Sequence, residues 1–342
     1  MVSENTHRRG GSRPTMNDVA RLAGVGLKTV SRVVNGEPRV SKAMAERVRA
    51  AIEELGYSPH EGARLLRRGQ TACIGLLVED VANPFYSALA GAVEQAARAN
   101  NFLLFTASSE EDAEQERELA LAFCARRVDG LVIVPAAAAD HRYLKPEIDA
   151  GVVAVFVDRP AVGIAADAVL TDNAGGTRAA VTHLLQQGHR RIGYIGDAAE
   201  IFTAAERLRG YRDELLASGL PLDESLVAMG HPEPQSVRTA LDRMLAGPAP
   251  VTALIAGNNR TTVTVLRDLS TRPQRLALVG FDDFELADLL SPGITVIAHD
   301  PAALGKTAAD LLFRRLQGYQ GPVQTIEIAT RLVPRGSGEI TP

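Results

Sequence analysis

The sequence predicts a small all-α head joined to a larger α/β body of two lobes. Three observations carry this. Residues 15–56 hold three short helical patterns separated by glycines and polar turns, with no strand-like run among them. From Thr71 onward, apolar runs of strand length alternate with amphipathic helical stretches. The chain has 342 residues, too many for one ordinary core, so two or three units are expected.

The head begins at Thr15, which with Asp18 has the spacing of a capping box. The short helix that follows turns Val19, Ala20 and Ala23 inward. Gly24 stands where a tight turn needs positive φ, and Val25 plugs that turn. A second short helix offers Val30 and Val33 to the first. A third starts at Ser41 as N-cap and carries Met44, Val48, Ile52 and Leu55 inward as far as Gly56. Small residues at the crossing, a glycine at the turn and apolar residues at fixed offsets make a helix-turn-helix. The outward face of the second helix is Lys28, Thr29, Ser31 and Arg32, residue types that touch groove edges and phosphates.

Charge distribution agrees. Residues 1–70 hold 13 Lys and Arg against 7 Asp and Glu, whereas the rest of the chain holds 24 against 34. A basic head on an acidic body is the asymmetry expected when one end meets a polyanion. Pro59 then breaks the chain, and 60–68 could form one more helix. It is too short to be stable alone in water, so a conditional helix is expected there.

In the body, strands are expected at Cys73–Val78, Phe102–Thr106, Val128–Val134, Val152–Val157, Arg191–Ile195, Thr252–Ala256 and Leu276–Phe281. Continuous apolar strands alternating with helices mean parallel sheets covered on both faces. The units are too many for one typical sheet, hence two lobes, with a ligand between them at the strand ends. Trp is absent and aromatics make up only 4%, so aliphatic side chains must do the packing.

Several classes are excluded by what the motifs are not. No phosphate-binding G-x-x-x-x-G-K-[ST], nucleophile-elbow G-x-S-x-G or zinc-binding H-E-x-x-H is present, so no enzyme, metal site or cofactor is expected. His183 and His189 read as structural. Cys73 and Cys124 lie in apolar runs and read as buried thiols of a reducing compartment. The polar start has no apolar signal segment and no run is long enough to span a bilayer, so the expected location is cytoplasmic, away from membranes.

The ordered motifs resemble the lactose-repressor (LacI/GalR-type) family of transcription regulators. In the head they are D-V-A-R-L-A-G-V at 18–25, T-V-S-R-V-V-N at 29–35 and Y-S-P-x-x-x-A-R-x-L at 57–66. In the body they are N-P-F-Y at 83–86, R-V-D-G-L at 127–131, D-R at 158–159 and T-D-N at 171–173. H-L-L-Q-Q-G-H-R-R-I follows at 183–192, then E-R-L-R-G-Y at 206–211 and G-F-D-D at 280–283. The resemblance implies a body like a type I periplasmic binding protein, with three crossings between the lobes. It implies a homodimer on a near-palindromic double-stranded operator and a small-molecule effector, a sugar or sugar derivative, in the cleft. A repressor is the reading; an activator or dual regulator, or a nucleoside-responsive one, is the alternative. A free sugar-binding protein is less favoured, because it needs no helix-turn-helix.

Carried over onto these positions, the DNA-binding residues are Thr15, Leu27, Lys28, Thr29, Ser31, Arg32, Asn35, Ala63, Leu66 and Arg67. The effector-binding residues are Asn83, Phe85, Tyr86, Asp158, Arg159, Thr203, Arg207, Asn258, Asp282 and His299. The implied division is a disordered tail at 1–14, the helix-turn-helix at 15–58, a hinge helix and linker at 59–70 and the effector-binding and dimerisation domain at 71–342. Lobe one takes about 71–170 and 301–324, lobe two about 171–298 and 325–342. Departures from the family pattern are Gly26 where a serine usually caps the recognition helix, Gly62 inside the hinge, and Gly257-Asn258-Asn259-Arg260 where an N-D arrangement is commoner. The run L-V-P-R-G-S at 332–337 spells a protease site used in tags, but it reads as native chain.

Overall fold

The structure, a computed structural model, describes residues 14–34, 37, 40–57, 71–246 and 248–342. The hinge expected at 59–70, with Gly62, Ala63, Leu66 and Arg67, lies outside the described residues, as does Asn35. The chain divides into two compact units at residues 69 and 70.

In the first unit, helix α1 spans Met16–Ala23, α2 Leu27–Val34 and α3 Lys42–Leu55. The capping box is formed: the Thr15 side chain accepts from the Asp18 amide while the Asp18 carboxylate accepts from the Thr15 amide. Gly24 ends α1 at φ 63°, where any side chain would be strained. Ser41 caps α3 and Gly56 closes it in the same left-handed conformation. Val19, Ala23, Val30, Val48, Ala51 and Tyr57 form the buried core. Met44, expected inside, is instead exposed, because the first turn of α3 overhangs this small core.

The second unit holds two six-stranded sheets. The first is built from β1 (Cys73–Val78), β2 (Leu103–Ser108), β3 (Gly130–Ile133), β4 (Val153–Val157), β5 (Asp167–Thr171) and β11 (Thr325–Ile328), in the order β11-β5-β4-β3-β1-β2, all parallel. The second is built from β6 (Ile192–Gly196), β7 (Val227–Met229), β8 (Ala253–Ala256), β9 (Ala277–Phe281), β10 (Thr295–Ala298) and β12 (Arg331–Val333), in the order β12-β10-β9-β8-β6-β7. Only β12 runs antiparallel. The central strands of both sheets are buried along their length, as parallel sheets covered on both faces require.

The first lobe carries helices α4 (Pro84–Ala99), α5 (Ala113–Ala125) and the short α6 (Lys145–Asp149). The second carries α7 (Asn173–Gln186), α8 (Phe202–Ala217), α9 (Pro234–Leu245) and α10 (Asn259–Leu269). Helix α11 (Pro301–Leu316) returns to pack against α4. The chain therefore crosses between lobes after β5, after β10 and after β11. The last crossing corrects the expected boundary. Residues 325–328 do not join the second lobe but pair with β5, and the switch follows Ile328. Each lobe has one helix pair in backbone contact at a glycine. A Cβ at Gly305 would stand 2.4 Å from the Leu89 carbonyl oxygen, and one at Gly210 would stand 2.3 Å from that of Ala174.

The segment 332–337 is woven into the second lobe. Ser337 is buried, its hydroxyl donates to Leu278 O at 2.6 Å, and Arg335 pairs with Asp283. His189 bonds Thr252 and the Ile340 carbonyl, and His183 sits 2.7 Å from Glu339, so both imidazoles anchor the same tail. No disulfide joins the cysteines. Cys124 is buried, and burial pushes its thiol up to about 11, while Cys73 is only half-buried, contrary to expectation. Among the described residues no helix is long and apolar enough to cross a membrane.

Candidate functional site

The head presents one face of α2. Leu27, Lys28 and Arg32 are exposed, and Thr29 and Ser31 are half-buried beside the core residue Val30. Arg32 lies 3.6 Å from Glu37, a loose exposed pair that a phosphate can replace. The Thr15 hydroxyl is spent on the cap, donating to Asp18 at 2.6 Å. Gly26 precedes α2 with open space around it. A serine there has room for its hydroxyl, both as cap and toward a phosphate. Gly26→Ser should therefore stabilise the head by a few tenths of a kcal/mol. It should raise affinity for duplex DNA about threefold per head, read by fluorescence anisotropy. Unchanged or weaker binding would mean that the α2 N-terminus does not approach the backbone of the duplex.

In the body, the C-terminal ends of β1, β4, β6, β8 and β9 converge on one cavity between the lobes. Asn83, Phe85, Tyr86, Asp158, Arg159, Thr203, Arg207, Asn258 and Asp282 all line it, with Glu79, Asp197, Ile201, Asn259 and Arg260. His299 stands one layer behind, its ring 5.2 Å from that of Phe85 and its Nε2 2.8 Å from Asp282. Its other nitrogen lies 3.5 Å from the Thr171 hydroxyl, which ties the first two crossovers together.

The first lobe contributes a network around Arg159. This buried guanidinium donates to Glu111 at 2.5 and 2.9 Å and to Pro135 O at 2.7 Å. Glu79 accepts from Tyr86 at 3.0 Å. Burial and the neighbouring Glu111 push the Glu79 carboxyl up, against Arg159 and Arg260. Asn83 caps α4 through the Phe85 amide, which holds the half-buried Phe85 ring at the cavity edge.

The second lobe contributes Arg207 and Asp282. Arg207 lies in the second turn of α8. It donates to Asn173 Oδ1 and Gly257 O, both at 2.7 Å, and stacks 3.8 Å from the Phe281 ring centre. It stands 3.4 Å from Asp282, so these two side chains are partners within one lobe.

Asp158 and Asp282 end β4 and β9 in the left-handed region, at φ 70° and 66°. Such strain is kept where the surrounding structure fixes a side chain's aim. Burial pushes the Asp158 carboxyl up, against the pull of Arg159 and Arg207. Burial acts on Asp282 too, but Arg207, His299 and the Asn259 amide outweigh it and hold the carboxyl at about 2. The cavity thus offers a firmly ionised acceptor on one lobe and a softer one on the other.

Residues 15–60 match the model for bacterial regulatory proteins of the lacI family, and residues 181–338 match a periplasmic binding protein-like domain. The HTH-type transcriptional regulator CelR of Thermobifida fusca is 35% identical over 339 residues, covering 95% of this chain and 98% of the relative. The chain belongs to the LacI family. A solved complex of a transcriptional regulator CelR with cellobiose has a TM-score of 0.69 at 32% identity, covering 95% of this chain and 100% of that one. The lac repressor dimer bound to operator and the anti-inducer ONPF has a TM-score of 0.83 at 26% identity, covering 96% and 99%. Within this LacI-family regulator the cavity also includes residues that were not singled out from the sequence. Asn259 Nδ2 donates to Asn83 Oδ1 across the lobes at 3.0 Å, and Asn258 donates to Asp197 at 2.8 Å. Arg260 reaches from α10 to Glu79 and Asp80 of the other lobe. For Asn259 and Arg260 the only sequence signal was the departure at 257–260.

Proposed function

We propose that this chain is a cytoplasmic, sequence-specific repressor that reads a near-palindromic operator as a homodimer and binds a small polyhydroxylated effector, a sugar or sugar derivative, between its lobes. The observation that supports it best is the convergence of Asp158, Asp282, Arg207 and Asn83 with Phe85 on one interlobe cavity, in a chain whose head is a helix-turn-helix. Carboxylate, guanidinium and amide groups bind vicinal hydroxyls in pairs, and an aromatic edge covers an apolar sugar face. The relatives point the same way, one complexed with cellobiose and one with operator.

The chain binds its ligand without transforming it. Asp282 is held ionised and Arg207 is committed to four partners, which suits recognition better than proton transfer. Lobe movement on binding would reach the DNA through residues 59–70. A homodimer is supported by exposed apolar side chains on an unpaired sheet edge, Leu103 and Phe105 on β2, and by Leu286, Leu289 and Leu290 after β9.

Selection from random duplexes should recover a near-palindrome, and affinity for it should fall steeply with salt. Each neutralised phosphate adds about −0.9 to the slope of log affinity on log salt. A slope near zero, or equal affinity for one half-site and the full palindrome, would refute the operator reading.

A further inference from the structure

We propose that Arg260 is the residue that limits the ligand's length, closing the cleft over a single sugar ring and excluding a second. The inference rests on the sugar-binding reading of the cleft. The cleft is divided in two. The inner chamber, holding Asp158, Asp282 and Arg207, measures about 40 Å³. The outer chamber, toward His231, Glu233 and Phe284, measures about 620 Å³. Six residues line both and form the wall between them: Glu79, Asn83, Asp197, Ile201, Asn259 and Arg260.

This wall is closed by contacts from one lobe to the other. Arg260 is bonded to Glu79 at 3.1 Å and to Asp80, and beside it Asn259 donates to Asn83 in a buried hydrogen bond of 3.0 Å. An inner chamber of this size holds about three waters, so any ring enters by parting the lobes. The wall can close again behind one ring. A second ring would lie between Arg260 and its two carboxylates, holding the pair apart and leaving Asn259 and Asn83 without each other. Excluding the longer ligand thus works through a bond it would have to forfeit. Arg260 sits in the first turn of α10 and its side chain is 43% exposed, so its removal threatens the fold little.

The test titrates wild type, Arg260→Ala and Asp80→Asn with D-glucose, D-galactose, D-ribose, cellobiose and lactose, by thermal shift and calorimetry. Asp80→Asn loosens the wall from the other lobe and leaves every inner-chamber residue in place. The expected result is that wild type binds a monosaccharide and neither disaccharide. Arg260→Ala should raise the ratio of disaccharide to monosaccharide affinity by about tenfold or more, and Asp80→Asn by less. If wild type binds a disaccharide as tightly as any monosaccharide, or if Arg260→Ala binds a monosaccharide and gains no disaccharide, the length limit is wrong and the sugar reading stands. If none of the five sugars binds to any of the three proteins, the reading of the cleft as a site for unmodified sugars fails and takes the length limit with it.

Discussion

Arg207→Ala should cost the body about 3–5 kcal/mol of unfolding free energy and abolish its response to ligand. The magnitude follows from what Arg207 holds. It is buried, it satisfies Asn173 Oδ1 and Gly257 O, and it is the main counter-charge to a carboxylate that stays ionised down to about pH 2. Alanine leaves those acceptors unpaired and Asp282 with only His299 and the Asn259 amide. It also empties the space over Phe281. The carboxyl of Asp282 should then rise, because burial is no longer outweighed. The head has its own core in a separate compact unit, so its helices should persist in urea at which the variant body has unfolded. Urea titration followed by circular dichroism, with calorimetry against the effector, measures both quantities. Asp282→Asn makes the control, since it keeps the shape and removes the charge that Arg207 answers. A loss below about 1 kcal/mol for Arg207→Ala would mean that the cluster is solvated and that the cavity is not the enclosed site described.

The parts of this molecule that were legible in the sequence are those whose cause is local. The capping box of Thr15 and Asp18, the left-handed Gly24 and the helical spacing of Val19, Ala23 and Val30 act within a few residues of one another. Asp282 had a related local signal, since a polar residue just after an apolar strand of a parallel sheet sits at the end where ligands bind. Asn83 and Asp158 came only from the family resemblance, and the structure places all three on the cavity. What was not legible depends on partners far along the chain. Nothing near Arg260 says that Glu79 and Asp80 lie opposite, because that contact exists only once two lobes have folded and crossed. Strand β11 reads T-I-E-I, too short and too mixed to declare a sheet, and its membership is decided by backbone pairing with β5. The same holds for β5, with a polar side chain at each end, and for β10, with one at its start. Met44 was misjudged because helical periodicity states which face is apolar and not how far the core extends beneath it.

Phe105→Glu should convert the dimer to a monomer and lower operator affinity by more than about a hundredfold, since two linked heads bind far better than one. Strand β2 is the edge of the first sheet, and its burial pattern is unlike that of the central strands. Leu103 is 65% exposed and Phe105 39%, and as alternate residues they stand on the same face. A natural edge is usually blunted by charge, and this one is not. A second copy of the chain is the partner that covers such a surface in a regulator reading a palindrome. Glutamate at 105 can turn toward solvent, because the ring it replaces only stacks on Phe123 at a centroid distance of 6.2 Å. The variant should therefore melt within a few degrees of a wild-type sample diluted to monomer. Leu289→Glu, on the second lobe, should act in the same direction, because its side chain is 74% exposed. Sedimentation equilibrium across micromolar concentrations, paired with gel shifts on full and half operators, decides the matter. A monomer that binds both DNAs equally weakly places β2 in the interface. A Phe105→Glu protein that still sediments as a dimer and binds the full operator normally would remove this edge from the interface and leave the dimer to be built elsewhere.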